Sequence, residues 1–347
     1  MTRRLFYTDH YSVPLPPEHR FPIQKYRMLR ELLERDGLFA FEPAPLAELE
    51  TIALAHDWTY MDAFVHGRLS AEAVRRIGFP WSEGLVTRTL ASVGSTLAAT
   101  REALATGWGG TMAGGTHHAF AGEGSGFCVF NDIAVAARWV QTSQEVAELT
   151  LGRADEGACS YVGRGDSQEG GSGRRVTRVA VIDLDVHQGD GTAHIFRDEP
   201  SVFTLSVHCK NNFPLRKQQS KMDVELDAGV GDAEYLRVLG EVLPRVWEFQ
   251  PEIVFYQSGV DGLGSDRLGR LQLTHDGLKE RDRMVIWGAR QLGVPFVITI
   301  GGGYAQPIAL TAEAHANTFR VAAEDDGYDP RRDLAGSASK AGRPSGT

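Results

Sequence analysis

The residues Asp183-Leu184-Asp185-Val186-His187-Gln188-Gly189-Asp190-Gly191 follow directly on an apolar run. In extended backbone, residues two apart face the same side. Asp185 and His187 can therefore offer a carboxylate oxygen and an imidazole nitrogen to one metal ion. Asp261, in Ser258-Gly259-Val260-Asp261 after another apolar run, supplies a third ligand. Three protein ligands leave the open position that a catalytic metal site needs. The alternative is a structural Asp–His hydrogen bond beside a loop, the commoner meaning of an isolated D-x-H. The polar ends of the other apolar runs favour the metal. Two carboxylates formally cancel the charge of a divalent ion, so its bound water is acidified less strongly and a separate base becomes useful. Zinc suits this ligand set, and ferrous iron fits it too.

That base is expected in Gly114-Gly115-Thr116-His117-His118-Ala119, where adjacent histidines sit in a glycine-flanked loop. An exposed loop pair is the other reading. Asp183, on the face of Asp185, and Asp190 are placed to orient the imidazoles, since a carboxylate on one ring nitrogen fixes the tautomer and raises basicity at the other. Asp190 also suits a helix N-cap, because Gly191 to Phe196 looks helical; the two roles are compatible. Tyr304 follows Gly301-Gly302-Gly303. Glycines permit close backbone approach, and a phenol there can donate to a developing oxyanion, although an incidental tyrosine in a turn would look the same. Gly126-Phe127-Cys128 and Phe213-Pro214 can wall a narrow channel, but ordinary core packing is the better reading of such apolar residues alone.

These groups need a scaffold that brings them together. Val179–Ile182, Val202–Leu205, Ile253–Tyr256 and Phe296–Ile300 read as buried strands. Each runs into polar residues or glycines, including Ser206-Val207-His208 after the second. Helices are expected from Asp232 to Trp247 and from Thr274 to Leu292, which predicts a mainly parallel sheet between helices in one α/β domain, 1–323. Ligands bind beyond the carboxyl ends of such strands. The first third reads as mostly helical, with helices at Lys25–Glu34 and Trp58–His66, a long helix capped by Ser82 and stopped by Gly107, and another capped by Asn131. Segment 151–175 reads as a surface insertion and 324–347 as a disordered tail.

The chain has 347 residues and a net charge of −9, a poor basis for nucleic-acid binding. Cys128, Cys159 and Cys209 form no disulfide framework. The amino-terminal residues lack an apolar signal-peptide core, and no run of about 18 apolar residues suggests a membrane span. A cytoplasmic protein is expected; nothing in the sequence indicates its oligomeric state.

From about Leu5 to Ala323 the motifs, in order and spacing, resemble the arginase/deacetylase fold and its histone deacetylase branch. They are Gly114 to Ala119, Gly126 to Asp132, Asp183 to Gly191, Ser206 to His208, Ser258 to Asp261 and Gly301 to Tyr304. His19-Arg20-Phe21-Pro22 with Lys25, and Ile77-Gly78-Phe79-Pro80-Trp81-Ser82, look most like class IV members and their bacterial relatives. The resemblance implies a zinc-dependent amide hydrolase that removes an acetyl or longer acyl group from an acyl-lysine, with an acetylated polyamine or other small acylated amine as the alternative substrate. It implies Asp185, His187 and Asp261 as zinc ligands, and His118 as general base and acid. His117 would be an electrostatic partner, and Tyr304 would polarise the carbonyl. Potassium would sit near Asp183, Asp185, His187, Ser206 and Val207. Phe127 would line the acyl tunnel, with Gly126 and Gly302 beside the substrate. Two features depart from the pattern: no clear acidic residue precedes Ile77, and Lys25 stands where many relatives carry arginine. A two-metal ureohydrolase or a non-catalytic acyl-ligand protein would share the fold.

Overall fold

Eight strands assemble side by side: β1 (Arg3–Tyr7), β2 (Phe39–Pro43), β3 (Trp108–Thr111), β4 (Val179–Asp183), β5 (Val202–Cys209), β6 (Met222–Leu226), β7 (Ile253–Gln257) and β8 (Phe296–Thr299). They pair in the order β2-β1-β3-β8-β7-β4-β5-β6, every pair parallel. The computed structural model describes residues 2–143 and 175–324. The proposed insertion, apart from Arg175, and the proposed tail, apart from Glu324, lie outside them.

The four strands β3, β4, β7 and β8 are buried at every residue, as strands covered on both faces must be. The described residues also form ten helices: α1 (Lys25–Asp36), α2 (Leu49–Ile52), α3 (Trp58–Val65), α4 (Ala71–Ile77), α5 (Glu83–Thr106), α6 (Asp132–Thr142), α7 (Asp190–Ile195), α8 (Asp232–Glu248), α9 (His275–Gln291) and α10 (Ala309–Ala323). Helix α5 packs on β1, β3, β8 and α6, while α8, α9, α10 and α1 pack in a row. No helix described is long and apolar enough to cross a membrane.

The expected caps Ser82 and Asn131 form, and Thr274 caps α9 as well. Ser82 accepts a bond from Leu85 N at 3.1 Å, Asn131 from Ala134 N at 2.9 Å and Thr274 from Gly277 N at 3.0 Å. Each satisfies an amide that the first helical turn leaves open. Gly107 closes α5 in the left-handed conformation, φ 101°.

The first third is mostly helical, as read, but three short strands there, β1, β2 and β3, were missed. The sequence Trp108-Gly109-Gly110-Thr111 of β3 lacks the bulk that marks a strand, because α5 lies against it. A Cβ on Gly109 would come within 2.0 Å of Ala99 O. The short edge strand β6 was also missed; its burial alternates and its charged residues are the more exposed ones, so it lacks the continuous apolar run of the central strands.

Register aligns the strand ends. Asp183 lies opposite Ser206 and Gln257, and Gln257 opposite Thr299. All strands being parallel, everything that follows these residues emerges on one rim.

Candidate active site

Asp185 and His187 leave the end of β4, and Asp261 leaves the end of β7. All three are buried, and one ligand atom from each lies within 4.8 Å of the others. Nδ1 of His187 is 3.0 Å from Oδ1 of Asp185 and 3.0 Å from Oδ2 of Asp261. The second carboxylate oxygens are held by backbone amides: Gly302 N donates to Asp185 Oδ2 at 2.8 Å and Val186 N to Asp261 Oδ1 at 2.9 Å. Burial and the neighbouring Asp185 carboxylate push Asp261 up to about 7. Against burial, Asp261 and Asp185 hold His187 up to about 10. Two buried carboxylates converging on one imidazole nitrogen are the donor set of a divalent cation, whose charge would relieve their mutual repulsion. The residues present therefore fit a zinc or ferrous ion.

The tandem histidines follow β3, and each has its own acid. Nδ1 of His117 lies 2.7 Å from Oδ2 of Asp183, and Nδ1 of His118 lies 2.7 Å from Oδ1 of Asp190. Both histidines are buried, which excludes the exposed-loop reading. Their electrostatics diverge. Burial draws His117 down, but the charges of Asp183 and Asp185 raise it to about 9. Burial and then the neighbouring His117 charge lower His118 to about 4, against the pull of Asp190. The N-cap role for Asp190 does not form: Gly189 occupies the cap position without a side-chain bond and Asp190 is the first residue of α7. Its carboxylate turns to His118, while its charge still sits at the favourable end of the helix.

Tyr304, Phe127, Gly126 and Gly302 line the same cavity as both histidines and the three candidate ligands. Burial pushes the Tyr304 phenol well above its usual range, so it stays a donor. Phe127 holds φ 66°, a strained value for a bulky residue. Its ring stands 6.3 Å from that of Tyr304. Phe213 faces His118 at 4.9 Å between centroids. Phe127, Cys128 and Phe213 line the cavity; Cys128 is also a buried core residue and Phe127 packs against the core, so the core-packing reading is corrected only for the exposed Phe213. Of the residues expected near potassium, Ser206 of β5 lies opposite Asp183 of β4, and its Oγ is 2.9 Å from Nδ1 of His208.

Several supporting residues escaped the sequence reading. Asp132 accepts from Gly115 N at 3.0 Å and Thr116 N at 2.7 Å, and so shapes the histidine loop. Asp266 accepts from Tyr304 N at 2.6 Å. Arg281, on α9 and 0% exposed, donates to Gly259 O at 2.6 Å and Ser258 O at 3.2 Å. It thereby holds the turn that carries Asp261. Only an arginine's apolar neighbours in α9 hinted that its side chain points inward.

The cavity holds about 590 Å³ and continues past the histidine loop to Tyr26, Arg88 and Ser92. Lys25 Nζ donates to Gly301 O at 3.0 Å and lies 5.3 Å from the Tyr304 ring.

A parallel sheet whose central strands empty acids and imidazoles into one such cavity is the arginase/deacetylase class of fold. The family model for the histone deacetylase domain matches residues 19–150 and 170–320. The chain belongs to the histone deacetylase family. An uncharacterised protein of a Picosynechococcus species is 41% identical over 321 residues, covering 91% of this chain and 97% of its own length. Histone deacetylase 2 of Arabidopsis thaliana is 28% identical over 334 residues, 91% of this chain and 78% of its own length. Acetoin utilization protein AcuC of Bacillus subtilis is 28% identical over 346 residues, with 91% and 80% covered.

Proposed function

We propose that this protein is a metal-dependent deacylase that hydrolyses the amide of an acyl-lysine side chain. The observation that carries the reading is the convergence, in one cavity, of an Asp185–His187–Asp261 donor set, two acid-paired histidines and Tyr304. When bound, a divalent ion supplies Lewis acidity toward the acyl carbonyl and acidifies water at its open position.

The remaining chemistry belongs to the chain. Asp190 engages Nδ1 of His118, which leaves Nε2 to take a proton. The low proton affinity of His118 keeps that nitrogen free near neutral pH. It accepts the proton of the attacking water and returns it to the leaving amine. His117, bound to Asp183, is the electrostatic partner of His118. Tyr304 donates to the developing oxyanion. Gly126, Phe127 and Gly302 flank the acyl-lysine stem. The space beyond the histidine loop leaves room for acyl groups longer than acetyl. A potassium ion would draw on the side chains of Asp183 and Ser206 and on backbone oxygens of Asp185, His187 and Val207. A cytoplasmic location suits an enzyme without a disulfide framework.

The two-metal alternative draws no support from Asp266, the next acid after Asp261. Its oxygens accept from the amides of Leu268, Gly269 and Tyr304. Metal-loaded protein should hydrolyse an acetyl-lysine peptide, and chelation should stop it. His118→Ala should nearly abolish turnover and Tyr304→Phe should lower it by at least about 10²-fold. Wild-type rates in either purified variant, or in the chelated protein, would overturn the mechanism.

A further inference from the structure

The mouth of the cavity carries charge of the opposite sign to the chain. Arg20, Arg76 and Arg270 line it, and Arg20 and Arg267 line the groove beside it. Arg216 follows Leu215, another lining residue. Arg76 is bound to Glu123 and Glu72. The other four are exposed, and none forms an ion pair among the described residues. Opposing them is little negative charge. The carboxylates of the cavity lining are Asp185 and Asp261, the buried candidate ligands, and Glu18 is the acid of the adjoining groove. This collar stands on a chain whose net charge is −9, so it is a local reversal, not a reflection of composition.

We propose that this arginine collar selects acyl-lysine in acidic peptide segments and disfavours lysine-rich segments and polyamines. The proposal rests on the deacylase reading above. Acylation makes the substrate lysine neutral, so the collar acts on its neighbours. The four unpaired arginines come from three separate segments: the approach to α1, the loop between β5 and β6, and the loop after β7. Arg20 and Arg270 line the cavity itself, Arg267 lines the adjoining groove, and Arg216 follows Leu215 in the chain. A single exposed pair is worth little, but several like charges around a low-dielectric mouth sum to a field that raises the local concentration of an oppositely charged substrate. The same field repels the ammonium groups of an acetylated polyamine.

The test uses metal-loaded full-length protein and three capped acetyl-lysine peptides, flanked by Gly/Ser, by Asp/Glu or by Lys, together with N-acetylputrescine. At low ionic strength the acidic peptide should exceed the lysine-flanked one in kcat/KM by about tenfold, with the neutral peptide between and N-acetylputrescine below it. The ratio should shrink toward unity at about 0.5 M salt as the Debye length contracts. The double variant R20E/R270E should reverse the acidic-to-basic order. Cleavage of the neutral peptide with an acidic-to-basic ratio within about twofold, or a preference that ignores salt, would overturn the collar. No cleavage of any of the four would instead bring down the deacylase reading, and the collar with it.

Discussion

Gly302 shows how tightly single residues are fixed at this site. A Cβ at this position would stand 2.1 Å from Oδ2 of Asp261 and 2.7 Å from Oδ2 of Asp185. Its N–H meanwhile donates to that same Asp185 oxygen. The glycine thus backs the candidate ligands as well as lining the cavity. Gly302→Ala should force the carboxylates apart and weaken zinc binding by at least about tenfold, within the range set by lost outer support, while the far-UV spectrum stays native. Calorimetric titration would measure this; unchanged affinity would place the metal elsewhere. The D-x-H ligand pair was legible because strand alternation is local. Which acid serves which histidine was not, because His117 and Asp183 are 66 positions apart and His118 and Asp190 are 72 apart.

At the scale of elements, the histidine loop is held by the start of α6 and by the segment before α3. His56 bridges them: its Nδ1 lies 3.2 Å from Ala121 O, and its Nε2 accepts from Asn131 N at 2.8 Å. Only the neutral ring with its proton on Nδ1 makes both bonds. Burial lowers His56 to about 4, against two favourable backbone bonds. The unfolded chain therefore binds the proton first as pH falls, and stability that is complete above about 6.5 declines down to about 4. The full span is worth up to about 3 kcal/mol. The urea midpoint should drop between pH 7 and 5, and drop less in His56→Gln; an equal drop in both would show that other groups carry the acid sensitivity. The helices with strong caps, α5, α6 and α9, were legible because capping is a property of four consecutive residues. The strands β1, β2, β3 and β6 were not. Their residues are short, glycine-rich or edge-placed, and only the neighbouring strands and helices make them strands.

For the whole molecule, a cation that ties the end of β4 to the end of β7 links two distant stretches of chain in the folded state alone. Zinc at 100 times its Kd should add about 2.7 kcal/mol of stability and raise Tm by several degrees. Asp261→Asn should abolish that response, and thermal unfolding with and without chelator would show it; a shift that survives the substitution would mean that zinc binds another site. The sequence by itself determined the α/β class, the candidate ligands, the tandem histidines and the tyrosine, because those depend on local periodicity and residue chemistry. Only the tertiary structure decided the acid–histidine pairing, the burial of Arg281 beneath the ligand loops and the positive mouth on an acidic chain. Net charge sums over the entire surface, whereas the field a substrate meets comes from the few side chains that folding brings to one opening.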